Sequence, residues 1–95
     1  MNDRAKPTRG ELRIVNPLGL HARAASKLVS TANKFTCDVF VGRPDGDEVN
    51  GKSILGVLLL ACPMGSTITV RCQGKDAVEA YAAISALVAD GFGER

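Results

Sequence analysis

The chain has 95 residues, 45% of them hydrophobic and 23% charged, which fits one globular domain, leaves no room for a second and excludes a disordered chain. Its net charge of +2 arises wholly in the first ten residues, where Arg4, Lys6 and Arg9 face only Asp3, so the rest balances at nine basic against nine acidic residues. A neutral body with 4% aromatics lacks both the phosphate-neutralising charge and the stacking platforms of a nucleic-acid binder.

Residues 1–10 are polar, contain Pro7 and Gly10 and show no periodicity, which reads as a flexible extension ahead of a single domain over residues 11–95. The amino terminus has no apolar h-region, and the apolar stretch Ile54–Cys62 stops at Pro63 well short of the ~18 residues a membrane span needs. A soluble, cytoplasmic monomer with no membrane insertion is the expectation. From Glu11, Leu12 and Ile14 alternate with Arg13 before Asn16-Pro17, which predicts a short first strand. After His21, the apolar positions Ala25, Leu28, Val29 and Ala32 recur at helical spacing, so a first helix begins at or just after the histidine.

Cys37, Val39 and Val41 alternate with Asp38 and Phe40 in a second strand, and Pro44-Asp45-Gly46 turns the chain back through Glu48 and Val49 as a hairpin. Ser53 is the N-cap expected for a short helix from Ile54 to about Leu60. Ile68, Val70 and Cys72 then alternate with Thr67, Thr69 and Arg71 in a fourth strand. Asp76 and Glu79 have the spacing of a capping box opening a last helix, with Ala77, Ala80, Tyr81, Ile84, Leu87 and Val88 on its buried face and Gly91 as its stop. Cys37, Cys62 and Cys72 are odd in number and form no C-x-x-C pair, so they read as reduced core residues; no metal and no cofactor is predicted.

The order is strand, helix, strand, strand, helix, strand, helix. Each helix has one apolar stripe and each long strand one apolar face. An α+β fold satisfies them all: an open-faced two-layer sandwich with a four-stranded antiparallel sheet and three helices on one face.

His21 is the single histidine. Gly19 lets the chain turn into the helix and sets the imidazole at the helix start, where unpaired amides and the positive end of the dipole favour an anion. Arg23 adds a forked cation. Imidazole is a competent nucleophile near neutral pH, so the pattern is a phosphate seat with its own nucleophile. No nucleotide loop or carboxylate dyad accompanies it, so the chain can carry a phosphoryl group but not generate one.

The run Asn16-Pro17-Leu18-Gly19-Leu20-His21-Ala22-Arg23 resembles the active-site signature of HPr, the histidine-containing phosphocarrier family of the bacterial phosphoenolpyruvate-dependent phosphotransferase system. Gly51-Lys52-Ser53-Ile54-Leu55-Gly56-Val57 is similar to the segment around that family's regulatory serine. The resemblance implies that His21 receives a phosphoryl group on Nδ1 from enzyme I and passes it to an IIA domain. It implies that Arg23 and the amides of Ala22, Arg23 and Ala24 hold the group, and that Ser53 is the target of an HPr kinase/phosphorylase. Leu20, Ala24, Lys27, Ile54, Leu55 and Leu58 correspond to partner-docking positions, Val57 and Leu60 to buried ones. Where the family usually has proline after H-A-R, this chain has Ala24, which frees one more amide. Two other readings are a regulatory protein of a nitrogen-related or carbon-control relay that acts mainly by binding, and a small ferredoxin-like nucleic-acid or metabolite module, which the neutral body disfavours.

Overall fold

The computed structural model describes residues 6–94. Alternation and helical spacing build the elements in the expected order: β1 Thr8–Arg13, α1 Ala22–Ala32, β2 Asp38–Gly42, β3 Glu48–Asn50, α2 Ile54–Leu59, β4 Thr67–Gln73 and α3 Ala77–Ala89, followed by a 3-10 turn at Gly91–Gly93. The strands form one antiparallel sheet in the order β1-β4-β2-β3. Period-two alternation puts Val39 and Val41 of β2 and Ile68, Val70 and Cys72 of β4 on one face, all buried. Against them pack Leu28 and three alanines of α1, Val57 of α2, and Ala80, Ile84 and Val88 of α3. On the opposite face Glu48 and Gln73 hold Arg71, whose guanidinium lies 4.2 Å above the Phe40 ring. No helix among the described residues is long and apolar enough to cross a membrane.

Two expectations are corrected. The first strand starts at Thr8 rather than Glu11, because Thr8, Arg9 and Gly10 pair with Cys72, Arg71 and Val70 of β4. Gly10 is not a breaker there; a Cβ at this position would lie 2.1 Å from the Tyr81 hydroxyl, so its missing side chain makes room for α3. The remainder of the proposed extension over residues 1–5 lies outside the described residues.

The capping box of α3 does not form either. Asp76 makes no side-chain cap bond to its own helix. Its carboxylate instead accepts from the Thr36 N–H at 2.9 Å and the Cys37 N–H at 2.8 Å, tying the start of α3 to the entry of β2. The Thr36 bond, joined by Cys37, outweighs desolvation and holds Asp76 below the usual carboxylate range. Burial, followed by the Asp76 contact, pushes the Cys37 thiol up to about 12. Cys37, Cys62 and Cys72 are all free and buried, which agrees with their reading as core residues.

Candidate functional site

Three separated pieces of chain build the site: the loop before α1, the first turn of α1 and the residues after α3. Gly19 has φ +69°, and a Cβ there would come within 2.6 Å of the Cys62 carbonyl, so only glycine fits. The next amide, Leu20 N–H, donates to that same carbonyl at 2.8 Å. This pins the chain immediately before His21, which takes the N-cap position in extended conformation, φ −79° and ψ −177°.

His21 Nδ1 accepts the Arg23 N–H at 3.2 Å, and its carbonyl accepts the Ala25 N–H at 2.8 Å. On the other side of the ring, Nε2 lies 2.8 Å from Glu94 Oε2. An ionised carboxylate only accepts, so the proton sits on Nε2 and Nδ1 keeps its lone pair toward the helix start. The second oxygen, Glu94 Oε1, accepts the Leu18 N–H at 3.2 Å. Desolvation pushes the Glu94 carboxyl up, but the bonds from Leu18, His21 and Asn16 together outweigh it and leave the group below its ordinary value.

Glu94 reaches His21 because α3 ends in a hook. Gly91 turns the chain at φ +66° as the expected stop, and Phe92 follows at φ +58° with its ring buried. Lys27 of α1 donates to the Phe92 carbonyl at 2.7 Å and clamps the hook onto the helix. The result is a cavity of about 700 Å³ whose walls include Leu18, His21, Arg23, Lys27, Phe92 and Glu94. The Ala22 and Ala24 N–H groups have no protein acceptor among the described residues, and Arg23 is exposed there without a side-chain partner. The arrangement offers a nucleophilic nitrogen, amide donors and a free guanidinium around one space, which suits a transferable anionic group.

The sequence-predicted residues divide. His21, Ala22, Arg23 and Ala24 are brought together in this cavity, whereas Ser53 is not among its walls. Ser53 caps α2, its Oγ accepting the Gly56 N–H at 3.2 Å. Of the proposed docking side chains, Ile54 is 45% and Leu55 65% exposed, and Leu58 is half-buried. Leu20 and Ala24 are corrected: at 3% and 0% exposure they belong to the core, because the N-cap turn points both inward. Lys27 is exposed, but its amine serves the hook. Glu94, Phe92, Leu18, Leu59 and Met64 were not anticipated. For Leu59, at 74% exposure, the signal was present in its i+4 spacing from Leu55; for Glu94, 73 positions from His21, local pattern holds none.

The family model described as "PTS HPr component phosphorylation site" matches residues 8–90. The chain is 48% identical over 81 residues to the phosphocarrier protein HPr of Cupriavidus necator, covering 85% of this chain and 90% of that one. Among solved structures, HPr-C-His from Thermoanaerobacter tengcongensis superposes with a TM-score of 0.87 at 36% identity, covering 93% of this chain and 98% of the other. The phosphocarrier protein HPr from Bacillus anthracis gives 0.81 at 40% identity, with 86% and 96% covered.

Proposed function

The chain belongs to the HPr phosphocarrier family of the phosphotransferase system, and from that premise we propose that it relays a phosphoryl group through His21 Nδ1, from enzyme I to an IIA domain. The observation that carries this reading is the polarised imidazole: Nε2 bonded to Glu94 and Nδ1 facing the first turn of α1. In the proposed step the Nδ1 lone pair forms a bond to phosphorus while the bond from phosphorus to the donor nitrogen of enzyme I breaks. The electron pair of the broken bond leaves with the donor. His21 becomes an N-phosphoimidazolium whose remaining N–H stays on Glu94, and the reverse sequence delivers the group to the acceptor. Arg23 and the Ala22 and Arg23 amides bond the phosphoryl oxygens, the guanidinium in its forked, charge-assisted geometry.

Ser53 is the proposed regulatory site. A phosphate at the start of α2 is compatible with the helix end and adds charge beside exposed Ile54 and Leu55, the side chains proposed to meet partners. The test of the relay is intact mass after incubation with phosphoenolpyruvate and enzyme I from the same organism, beside His21→Ala. One acid-labile phosphoryl group on the wild type and none on the variant is the expected result. No adduct with an active enzyme I overturns the relay.

A further inference from the structure

Asn16 is buried, at 2% exposure, alone among the described polar residues, and it sits in the loop that delivers His21. Its Nδ2 donates to the Gly19 carbonyl at 2.7 Å, while the Gly19 N–H donates to the Asn16 carbonyl at 3.1 Å. This two-way clasp spans Pro17 and Leu18. It closes the turn in which Gly19 adopts positive φ and hands Leu20 to the Cys62 carbonyl, one residue before the N-cap. Within the same turn the Leu18 N–H points at Glu94 Oε1. Two partners of the Glu94 carboxylate, the imidazole and the Leu18 amide, therefore hang from one carboxamide, which itself also favours the ionised carboxylate.

Asn16 Oδ1, in contrast, is buried with no hydrogen-bond partner among the described residues. A buried orphan acceptor costs folding free energy that offsets part of what the Nδ2 bond contributes, so the clasp stands out more for the geometry it sets than for net stability.

We infer that Asn16 is a positioning residue for phosphoryl transfer: its clasp aims the Leu18 amide and the His21 imidazole at one carboxylate and so keeps the proton on Nε2 and the lone pair on Nδ1. The kinetic part of this inference rests on the phosphocarrier reading; the tautomer does not. Without the clasp the turn relaxes, Glu94 loses an anchor and the imidazole proton distributes over both nitrogens.

The experiment records the ¹⁵N shifts of the His21 ring nitrogens at alkaline pH, in the full-length wild type and Asn16→Ala, together with single-turnover transfer from phosphorylated enzyme I. The wild type is expected as the Nε2–H tautomer and Asn16→Ala as a mixture. Transfer in the variant is expected to slow about tenfold, the scale of a lost transition-state hydrogen bond, with unchanged dependence on enzyme I concentration. Because Asn16 acts through Glu94, adding Asn16→Ala to Glu94→Gln is expected to slow transfer no further. A folded Asn16→Ala with wild-type nitrogen shifts, or losses that multiply in the double variant, overturns the inference. Should Asn16→Ala not fold, Asn16→Ser is read by the same nitrogen shifts with the same two outcomes. A wild type that accepts no phosphoryl group sinks the relay, while the nitrogen shifts still decide whether Asn16 sets the tautomer.

Discussion

The N-capping side chains at His21 and Ser53 each accept one first-turn amide, the second helical amide at His21 and the third at Ser53, and have different chemical prospects. His21 Nδ1 accepts the Arg23 N–H and Ser53 Oγ accepts the Gly56 N–H, each at 3.2 Å. At α1 the cap has a carboxylate on its far nitrogen, a guanidinium two residues on that has no partner among the described residues, and a cavity before it. At α2 the adjacent Lys52 amine is committed to the Phe35 carbonyl at 2.7 Å, and the next two side chains are exposed and apolar. No base is bonded to the Ser53 hydroxyl among the described residues. A cap geometry thus supplies amides for an anion, but a long-range carboxylate and an ionisable ring equip one cap for the proposed nucleophilic role. The other has no such activating partner among the described residues, and its proposed phosphorylation would need an outside enzyme.

The sharpest way to break that contrast is to remove the carboxylate. In Glu94→Gln the amide can accept from Nε2 or donate to it, so the tautomer is no longer imposed. Transfer from enzyme I is expected to fall by on the order of tenfold or more, as when a charge-assisted hydrogen bond is lost from a transition state. Stopped-flow transfer rates check this, and an unchanged rate would leave the hook without a catalytic consequence. The same contact has a pH signature. Since the folded-state carboxyl lies below its ordinary value of 4.5, the unfolded chain binds the proton more readily, and the contribution of Glu94 is fully present above that value. It is lost as pH falls through the lowered folded value. The difference in Tm between wild type and Glu94→Gln should therefore shrink only on acidification below the ordinary carboxylate range.

A smaller effect is expected at the second cap. Ser53→Asp retains an acceptor for the Gly56 amide and adds a charge beside Ile54 and Leu55, so acceptance from enzyme I should weaken severalfold, up to about tenfold, while Ser53→Ala stays near wild type. Equal rates in the two variants would count against regulation through this surface.

What could be read in the sequence follows the range of the interactions. Alternation in β4, the apolar spacing of α1, the Ser53 cap and the Gly91 stop are local signals, and each appears where the pattern put it. The histidine was legible because glycine, histidine and arginine are close in the chain. The site's other half was not: Glu94 comes from a hook without periodicity, made of glycines around a phenylalanine at positive φ. Asp76 had the spacing of a local cap, but two amides at the entry to β2 compete for the same carboxylate and win. Likewise Gly10 resembled a breaker only because Tyr81, which needs its space, is far along the chain.

The smallest expected effect lies at Ala24, where proline is usual in the family that the chain resembles. Its side chain is fully buried, but its N–H belongs to the first turn of α1, lines the cavity and has no protein acceptor among the described residues. An N-cap acceptor is commonly served by the second or third helical amide, and here only the second, Arg23, reaches Nδ1. A phosphoryl group on Nδ1 extends the acceptor outward and brings oxygens toward the third. Ala24→Pro removes that donor, and because φ in a first turn suits proline, the helix itself should form as before. The lifetime of the phosphohistidine in Ala24→Pro is expected to shorten by roughly two- to tenfold, the worth of one hydrogen bond of about 0.5–1.5 kcal/mol. Acceptance from enzyme I should change less than that lifetime, since the bond strengthens only once the oxygens are in place. Equal hydrolysis half-lives for the two phosphorylated proteins would show that the extra amide remains hydrated and that His21 relies on the Ala22 and Arg23 amides with the guanidinium.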